Sequence, residues 1–362
     1  MADAKLRVVH WGTGNTGRVV LRQVLDDPNL ELVGLGVRSP AKAGRDAGSF
    51  CDRPATGVVG STDWKALLDL QADCATYIVN EWDRPPTALL DELCALLESG
   101  KNVVSTSYLP LIYPKSLGDD VVRRLEAACE RGGSSYHCTG IEPGFTGDVL
   151  PLVLSSLSER VDAIRFEERI NVALYDEPVQ LQGYGIGRSV EEDAAAYRPG
   201  HMQHLWVGTF RMVADALGVT IDEIREHREV ATVARDVALA RLHVGAGRIG
   251  GIRFQLEGLV RGRPRITISH VYTVDDDCAA HWPPRVAPEQ QGTRFTRIVI
   301  EGHPSMEMTL ALGGPDLDPT VMGVTGTASR VVNAIPVVCA APPGIRTFLD
   351  LPPVVARGRM RA

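Results

Sequence analysis

The sequence predicts an α/β protein with two parts: an N-terminal Rossmann domain with a parallel doubly wound sheet, and an α+β C-terminal domain with an open mixed sheet. Three observations predict this fold class. A short apolar strand at the start of the chain runs into a glycine-rich turn and then a helix. Apolar strands and helical segments then alternate as far as residue 138, as in a parallel sheet. From residue 161 the strands show polar and apolar alternation instead, which is typical of a sheet with two different faces.

The first strand leads directly into the pattern G-x-G-x-x-G. Gly12 permits the tight turn, Gly14 lets the backbone approach a pyrophosphate, and Gly17 lets the helix and strand pack closely. The helix N-terminus would hold the pyrophosphate, because its free N–H groups and positive dipole end favour an anion. An ordinary glycine-rich turn is the alternative, and the position between a strand and a helix favours the cofactor. The predicted dinucleotide turn consists of Gly12, Thr13, Gly14, Asn15, Thr16 and Gly17.

Length and composition bound the kind of protein. A chain of 362 residues suits about two domains. A net charge of −7 argues against a nucleic-acid or anionic-membrane partner, so a small molecule is expected. The apolar run at residues 331–341 is broken by Asn333 and Pro336 and is too short to span a bilayer. The N-terminus does not look like a signal peptide. Seven scattered cysteines without ligand spacing predict free thiols in a cytoplasmic protein and no metal site.

The end of the second strand, residues 30–37, bears on the choice of cofactor. Folds that prefer NAD place an acidic residue there to bind the ribose hydroxyls, whereas this chain continues with Arg38 and Ser39. Both could hold a 2′-phosphate, with Lys42 as a second charge. NADP is therefore the preferred cofactor, and NAD is possible. A solvated basic loop is the alternative interpretation.

Three further strands, residues 74–80, 101–105 and 134–138, alternate with helices at residues 62–70, 85–98 and 117–131. Parallel sheets bind ligands at the carboxyl ends of their strands. We therefore expect the strand exits to line the nicotinamide and the substrate. The residues at these exits are Asn80, Ser105 and Thr106 for the cofactor and Trp82 for the substrate.

The second domain is expected to begin near the glycine-rich segment after residue 138. Its predicted strands are residues 163–172, 254–261, 265–273 and 295–301, with helical stretches at 204–217 and 221–226. A final apolar helix, residues 326–335, is expected to pack back on the Rossmann domain. The predicted domains are 1–145 for the cofactor, 146–325 for substrate and dimerisation, and 326–362 for the returning helix and tail.

Four motifs in order carry a resemblance to a known group: the N-terminal turn, GKNVVS at residues 100–105, GIEPGF at 140–145 and RVVNAIP at 330–336. The chain resembles the dihydrodipicolinate reductase-like proteins, and within them the 2,4-diaminopentanoate dehydrogenase and native amine dehydrogenase branch. The similarity covers nearly the whole chain, including residues 181–187. It implies a Rossmann domain, a substrate-covering α/β domain, often a homodimer, and hydride transfer between a nicotinamide cofactor and a C=N or C=O carbon.

One departure from that branch bears on the chemistry. The amine dehydrogenases carry an acidic residue shortly after the Asn-Val-Val strand, where this sequence has Thr106, Ser107 and Tyr108. A carboxylate would stabilise ammonia or an iminium by its charge. A tyrosine hydroxyl is neutral near pH 7 and suits a developing alkoxide as a hydrogen-bond donor. Tyr108 is thus the predicted stabiliser or proton donor, with Glu142 second. Capping or an ion pair near the interdomain hinge is the alternative role for Glu142. The signatures of true dihydrodipicolinate reductases are missing.

Other candidates have two interpretations each. His137 is either a proton donor or substrate contact, or a core histidine bonded to backbone. Tyr175 and Tyr184 line the substrate pocket if the second-domain sheet faces the nicotinamide; otherwise Tyr184 is only an aromatic residue of a loop. His201 and His204 have no third ligand with suitable spacing, so we expect them to cap a helix or edge the pocket rather than bind metal.

These observations predict an NAD(P)H-dependent oxidoreductase. It would transfer hydride to the C=O or C=N carbon of a small or medium, largely apolar ketone, aldehyde or imine. One alternative is an amine dehydrogenase that manages without the expected carboxylate. The other is a non-catalytic NADP-binding sensor, because a fold alone never proves catalysis.

Overall fold

The structure is a computed structural model that describes residues 4–80, 84–175, 177–239, 241–275, 277–283, 294–313 and 319–360. The chain divides into two compact units. The first unit comprises Met1–Gly144 and Val324–Ala362, and the second comprises Phe145–Gly323. Each unit has its own sheet and its own hydrophobic core.

The first unit begins with ten elements: β1 (Leu6–Trp11), α1 (Asn15–Asp26), β2 (Leu30–Gly36), β3 (Gly60–Ser61), α2 (Trp64–Asp69), β4 (Cys74–Tyr77), α3 (Pro86–Glu98), β5 (Asn102–Ser105), α4 (Asp119–Gly132) and β6 (Ser135–Cys138). The second unit contributes α5 (Val149–Ser155), β7 (Arg160–Asn171), α6 (Pro178–Gly183), α7 (His201–Ala216), β8 (Glu223–Thr232), β9 (Val237–Ala238), β10 (His243–Val244), β11 (Ile249–Val260), β12 (Arg263–Thr273), β13 (Arg294–His303) and β14 (Met306–Leu312). The last helix is α8 (Pro319–Cys339), most of which belongs to the first unit, and the last strand is β15 (Gly344–Ile345).

The first sheet has seven strands in the order β15-β6-β5-β4-β1-β2-β3, and all of its pairs are parallel. The chain order reverses at β1, which pairs with β2 on one side and β4 on the other. Buried side chains of α1 and α8 form one core cluster, and those of α3 and α4 form another. Parallel strands buried between helices explain why these segments are almost continuously apolar. The predicted Rossmann architecture is confirmed.

Helix α8 packs back into the first unit, as expected. Its window Thr320–Cys339 is long and apolar enough to cross a membrane by length and composition, with a mean hydropathy of 1.3. Half of that window is buried, however, and Val331, Val332 and Ile335 lie in the same core cluster as Val20 and Leu21 of α1. A helix that buries apolar side chains in this way is a core helix.

The second sheet is open and mixed, as predicted. Its order is β14-β13-β7-β12-β11-β8, in which β7 and β12 are parallel and the other pairs are antiparallel. Helix α7 packs on β8 and β11. The buried ring of Phe210 on α7 lies so close to Gly258 on β11 that a Cβ at Gly258 would be 2.9 Å from the ring. The opposite face carries ion pairs, among them Arg297 with Glu167 and Glu307.

One expected helix is a strand. The sequence favours a helix over residues 221–226, but residues from Glu223 onwards form β8, which pairs with β11. Strand β8 is an edge strand; half of its residues are charged, and all of them are at least partly exposed. An edge strand of this kind lacks the apolar alternation that marks a half-buried strand, and pairing with β11 decides its conformation.

Candidate functional site

The carboxyl ends of β1, β2, β4, β5 and β6 lie at one edge of the first sheet, because these strands are all parallel. The loops that leave this edge contain the predicted cofactor and catalytic residues of the first unit. Ligands of doubly wound sheets bind at this edge, where the strand order reverses. Here the reversal falls at β1, immediately before the glycine turn.

The glycine turn has the close approaches that its sequence predicts. Gly12 adopts a φ of +109°, and a Cβ built there would lie 1.9 Å from the carbonyl oxygen of Ile78. A Cβ at Gly17 would lie 2.3 Å from the oxygen of Gly12. Gly14 is the exposed N-cap of α1 and has no side chain with which to cap the helix. The N–H groups of the first turn thus fit the pyrophosphate of a dinucleotide.

The loop after β2 carries basic side chains with different partners. Arg38 and Ser39 are exposed. The Nζ atom of Lys42 donates to the oxygen of Thr13 at 3.3 Å and to its Oγ1 at 2.9 Å. Arg45 lies over the ring of Phe50, 4.5 Å from its centroid. Lys42 therefore braces the glycine turn, while Arg38 and Ser39 are presented at the surface of the loop.

Serine hydroxyls tie the exits of β4 and β5 together. The Oγ of buried Ser105 donates to the oxygen of Tyr77 at 2.9 Å and accepts from the amide of Ser107 at 2.9 Å. The Oγ of Ser107 accepts from the amide of Val79 at 2.9 Å. Asn80 is exposed at the same exit, and Thr106 is half-buried. Sequence reasoning misses the role of Ser107, although the pattern Ser-x-Ser at a strand exit is a signal for it. Trp82 lies outside the described residues.

Tyr108 stands at the start of a 3₁₀ helix, Leu109–Ile112. Its φ of 63° and ψ of 81° place it in the left-handed region, which is uncommon for a residue other than glycine. Its side chain is half-buried and packs against the core cluster of α3 and α4. A non-glycine residue held in this conformation costs about 1 to 3 kcal/mol and is found at functional sites more often than elsewhere.

The loop after β6 is tightly closed. Gly144 has a φ of +116°, and a Cβ there would lie 2.3 Å from the amide nitrogen of Gly140. The amide of Ile141 donates to Thr327 Oγ1 of α8 at 3.3 Å, so this loop is fastened to the last helix. Glu142 is half-buried in the loop.

His137 is a core histidine bonded to backbone. Its Nδ1 lies 2.6 Å from the carbonyl oxygen of Arg346, which can only accept, so Nδ1 carries the proton. Its buried Nε2 has no hydrogen-bond partner among the described residues. Burial lowers the pKa of His137 to about 4, so the ring is neutral at pH 7.

Two predicted substrate residues of the second unit are joined by an amide side chain. Tyr175 Oη donates to Oε1 of Gln180 at 2.8 Å, and Nε2 of Gln180 donates to Tyr184 Oη at 3.2 Å. The Tyr184 ring is buried and lies 5.2 Å from that of Tyr272. Sequence patterns do not indicate Gln180, because α6 is too short to show helical periodicity.

A buried polar pair lies beside these aromatic rings. Glu168 on β7 and His270 on β12 are opposite each other in the register, with 3.2 Å between Oε2 and Nδ1. Tyr272 Oη also lies 3.2 Å from that nitrogen, and Phe254 stacks on the imidazole at 4.8 Å. About 100 residues separate the two partners in sequence, so the sequence alone contains no sign of the pair.

His201 and His204 lie at the start of α7, in keeping with the expected place at a helix end. Burial is the main cause that lowers the pKa of each. No group of three His, Cys, Asp or Glu side chains with metal-binding geometry occurs among the residues that the structure describes.

Comparisons with known proteins agree on one group. The family model described as 2,4-diaminopentanoate dehydrogenase C-terminal domain matches residues 145–361. An amine dehydrogenase from Streptomyces virginiae is 35% identical over 98% of both chains. A 2,4-diaminopentanoate dehydrogenase from Acetoanaerobium sticklandii is 25% identical over 96% of this chain and 94% of its own. The solved structure of an amine dehydrogenase from Mycobacterium smegmatis has a TM-score of 0.78 at 23% identity over 98% of both chains, which shows a shared fold.

The buried histidines make stability depend on pH. Burial lowers the pKa of both His10 and His137 from 6.5 to about 4. Their contribution is complete above pH 6.5 and is lost as the pH falls toward 4, because the unfolded chain takes up protons that the folded chain does not. At pH 4, each histidine has lowered the free energy of unfolding by up to about 3 kcal/mol relative to its value above pH 6.5. His137→Asn should remove about 2 kcal/mol of the loss between pH 7.5 and 5, measured by urea unfolding.

The matched control is His281→Asn, at an exposed position. It should leave the pH dependence unchanged. A wild-type loss of stability that His137→Asn fails to reduce would show that this ring titrates normally in the folded protein.

Proposed function

The chain belongs to the 2,4-diaminopentanoate dehydrogenase family, and we propose that it interconverts a primary amine with the corresponding ketone or aldehyde, using a nicotinamide nucleotide. It is an oxidoreductase, as are the relatives that match its whole length. The observation that carries the proposal is the 35% identity to an amine dehydrogenase over 98% of both chains. The sensor alternative is set aside, because those relatives are enzymes.

The proposed reaction balances as amine, NAD(P)⁺ and water giving carbonyl compound, ammonia, NAD(P)H and a proton. When bound, the nicotinamide accepts or returns the hydride. The protein binds the pyrophosphate at the glycine turn and holds the strand exits in place. Tyr108 is proposed as the hydrogen-bond donor to the reacting oxygen or nitrogen, and Glu142 as the second titratable group at this edge. The substrate is proposed to be small or medium and largely apolar.

The other predicted contacts stay proposals. We assign Asn80, Ser105 and Thr106 to the nicotinamide side of the cofactor, because they lie at strand exits of the first sheet. The hydroxyl of Ser105 is used within the protein, so its contribution is to hold the exit in shape. We assign Tyr175 and Tyr184, together with Trp82, to the substrate, and we do not assign His137, which is buried and bonded to the carbonyl oxygen of Arg346.

Carbonyl reduction without ammonia is the second candidate function. The residues after β5 favour it: this chain has Thr106, Ser107 and Tyr108 there, where the resemblance to the amine dehydrogenases implies an acid. A neutral hydroxyl donates well to a developing alkoxide but supplies no charge for an iminium.

The test is to incubate the purified protein with NADPH and a panel of small ketones and aldehydes, with and without ammonium. We expect turnover that requires ammonium and yields the amine by mass spectrometry. Turnover to the alcohol regardless of ammonium would select carbonyl reduction instead. NADPH binding without any turnover would refute both reactions.

Tyr108→Phe removes the proposed donor and keeps the ring. A positioned proton donor contributes about a hundredfold or more, so kcat should fall by that factor while the NADPH dissociation constant stays within about twofold. Tyr197→Phe is the control. It also removes a buried tyrosine hydroxyl, but from the second unit, where the Tyr197 ring lies under Arg228. Equal kcat values for Tyr108→Phe and wild type would end the assignment.

NADP is the proposed preferred cofactor, on the basis of Arg38 and Ser39 at the end of β2, where no acid is present. Arg38→Ala should raise the KM for NADPH about tenfold and leave the KM for NADH nearly unchanged, as expected for one charge-assisted contact to a phosphate. Arg45→Ala is the matched control in the same loop, because Arg45 is stacked on Phe50. Equal effects on both nucleotides would refute the 2′-phosphate role.

We also propose that the protein is a cytoplasmic homodimer. The free cysteines suit a reducing compartment. The face of the second sheet opposite α7 carries ion pairs, including Arg253 with Glu229, and such a polar face can pair with its copy about a twofold axis. Light scattering should give twice the chain mass of 39.2 kDa. A mass equal to one chain would exclude the dimer.

A further inference from the structure

His10 is a fully buried histidine in the apolar strand that precedes the glycine turn. Its Nε2 lies 2.6 Å from the carbonyl oxygen of Gly12, and its Nδ1 lies 2.7 Å from Oγ1 of Thr76 on the neighbouring strand β4. Central strands of parallel sheets are normally apolar on both faces. A polar side chain that breaks this rule beside a ligand-binding turn points to a functional reason.

The hydrogen bonds fix the state of the ring. A carbonyl oxygen can only accept, so Nε2 of His10 carries the proton, and Nδ1 accepts from the Thr76 hydroxyl. Burial lowers the pKa of His10 to about 4. The ring is therefore a neutral, single tautomer at pH 7, and its one N–H is directed at Gly12.

Holding a carbonyl also orients the next amide. In a trans peptide the C=O and the following N–H point in opposite directions. Because His10 holds the oxygen of Gly12, the N–H of Thr13 points away from the buried ring. Lys42 holds the oxygen of Thr13 in the same manner, at 3.3 Å, which orients the N–H of Gly14. Successive backbone N–H groups that are held in place in a turn can form an anion-binding concavity.

We propose that His10 is a positioning residue for nucleotide binding: by holding the Gly12 carbonyl it aims the Thr13 N–H at the pyrophosphate. The inference rests on the proposed nucleotide site and goes beyond it, since it gives a role to a side chain beneath the turn. It also separates two contributions to cofactor affinity. His10 and Lys42 would serve the pyrophosphate, which NAD and NADP share, and Arg38 would serve the 2′-phosphate.

The test uses two nucleotide fragments as calorimetric probes. ADP-ribose has the pyrophosphate but no 2′-phosphate, and adenosine 2′-monophosphate has the reverse. His10→Met removes the donor at similar volume, so ADP-ribose and NADPH should bind about tenfold more weakly. Adenosine 2′-monophosphate should bind within about twofold of wild type, and kcat at saturating NADPH should not change.

Rescue by a conservative variant separates positioning from packing. His10→Gln keeps an N–H donor for Gly12 and should restore ADP-ribose binding to within about threefold of wild type, as expected when the hydrogen bond is retained. Thr76→Val removes only the partner of Nδ1 and should likewise cost less than about threefold. Arg38→Ala should show the opposite pattern, with weaker binding of adenosine 2′-monophosphate and unchanged binding of ADP-ribose.

Wild-type affinity for ADP-ribose in His10→Met, or an equal loss in His10→Gln, would overturn the inference while leaving the proposed function intact. A wild-type protein that binds neither NADPH nor ADP-ribose would overturn the nucleotide site itself. If His10→Met does not fold, ¹⁵N spectra of wild-type histidines decide the question. They should show a ring with protonated Nε2 and bare Nδ1 at pH 7, and the other tautomer would refute the assignment.

Discussion

The contact between the glycine turn and Ile78, the residue that follows strand β4, is the constraint on which the first unit depends. The Gly12 α-carbon approaches the Ile78 carbonyl so closely that a Cβ would sit 1.9 Å from its oxygen, and the Gly17 backbone in turn approaches Gly12. These two close contacts determine the distance between the start of α1 and the edge of the sheet. Since β1 is also where the strand order reverses, the same contact places the start of a helix dipole beside the crevice between β2 and β4. An anion can be bound there by backbone groups alone.

The two faces of the sheet in the second unit differ: one is covered by α7, and the other carries ion pairs beside a smaller buried cluster of Val271, Ala279 and Trp282. On the covered face, the pair formed by Glu168 and His270 is buried among aromatic rings. Burying such a pair is rarely a net gain in stability compared with apolar residues of the same size. The pair is held by register, since β7 and β12 place the two residues opposite each other in a parallel pairing. A slip of one residue in either strand would turn its member of the pair to the opposite face and separate the two side chains.

Features that depend on residues close together in the sequence can be predicted from it, and features that depend on distant residues cannot. The strand, glycine turn and helix at the N-terminus depend on neighbouring residues, so pattern and spacing are sufficient for the Rossmann architecture. Strand β8 escapes prediction because it is polar and becomes a strand only through its pairing with β11. The Ser107 bridge and the Gln180 link require knowledge of which loops meet, and the Glu168–His270 pair requires the register of strands about 100 residues apart. The proposed roles of Tyr108 and Glu142 follow from strand exits and from the resemblance.

The difference between the two candidate reactions is concentrated at Tyr108. Hydride removal from an amine leaves a positive iminium, and hydride addition to a ketone builds a negative alkoxide. A carboxylate stabilises the first charge and opposes the second, whereas a hydroxyl donor has the reverse preference. Whole-length similarity to an amine dehydrogenase favours the amine, and the side chain at this one exit favours the oxygen. Both can hold if Tyr108 serves the step in which the hydroxyl of a carbinolamine leaves as water, because that oxygen needs a proton in amine chemistry as well. In that case a group other than Tyr108 must stabilise the positive charge of the iminium. We propose Glu142 for this role, because it is a half-buried acid at the β6 exit, at the same edge of the sheet.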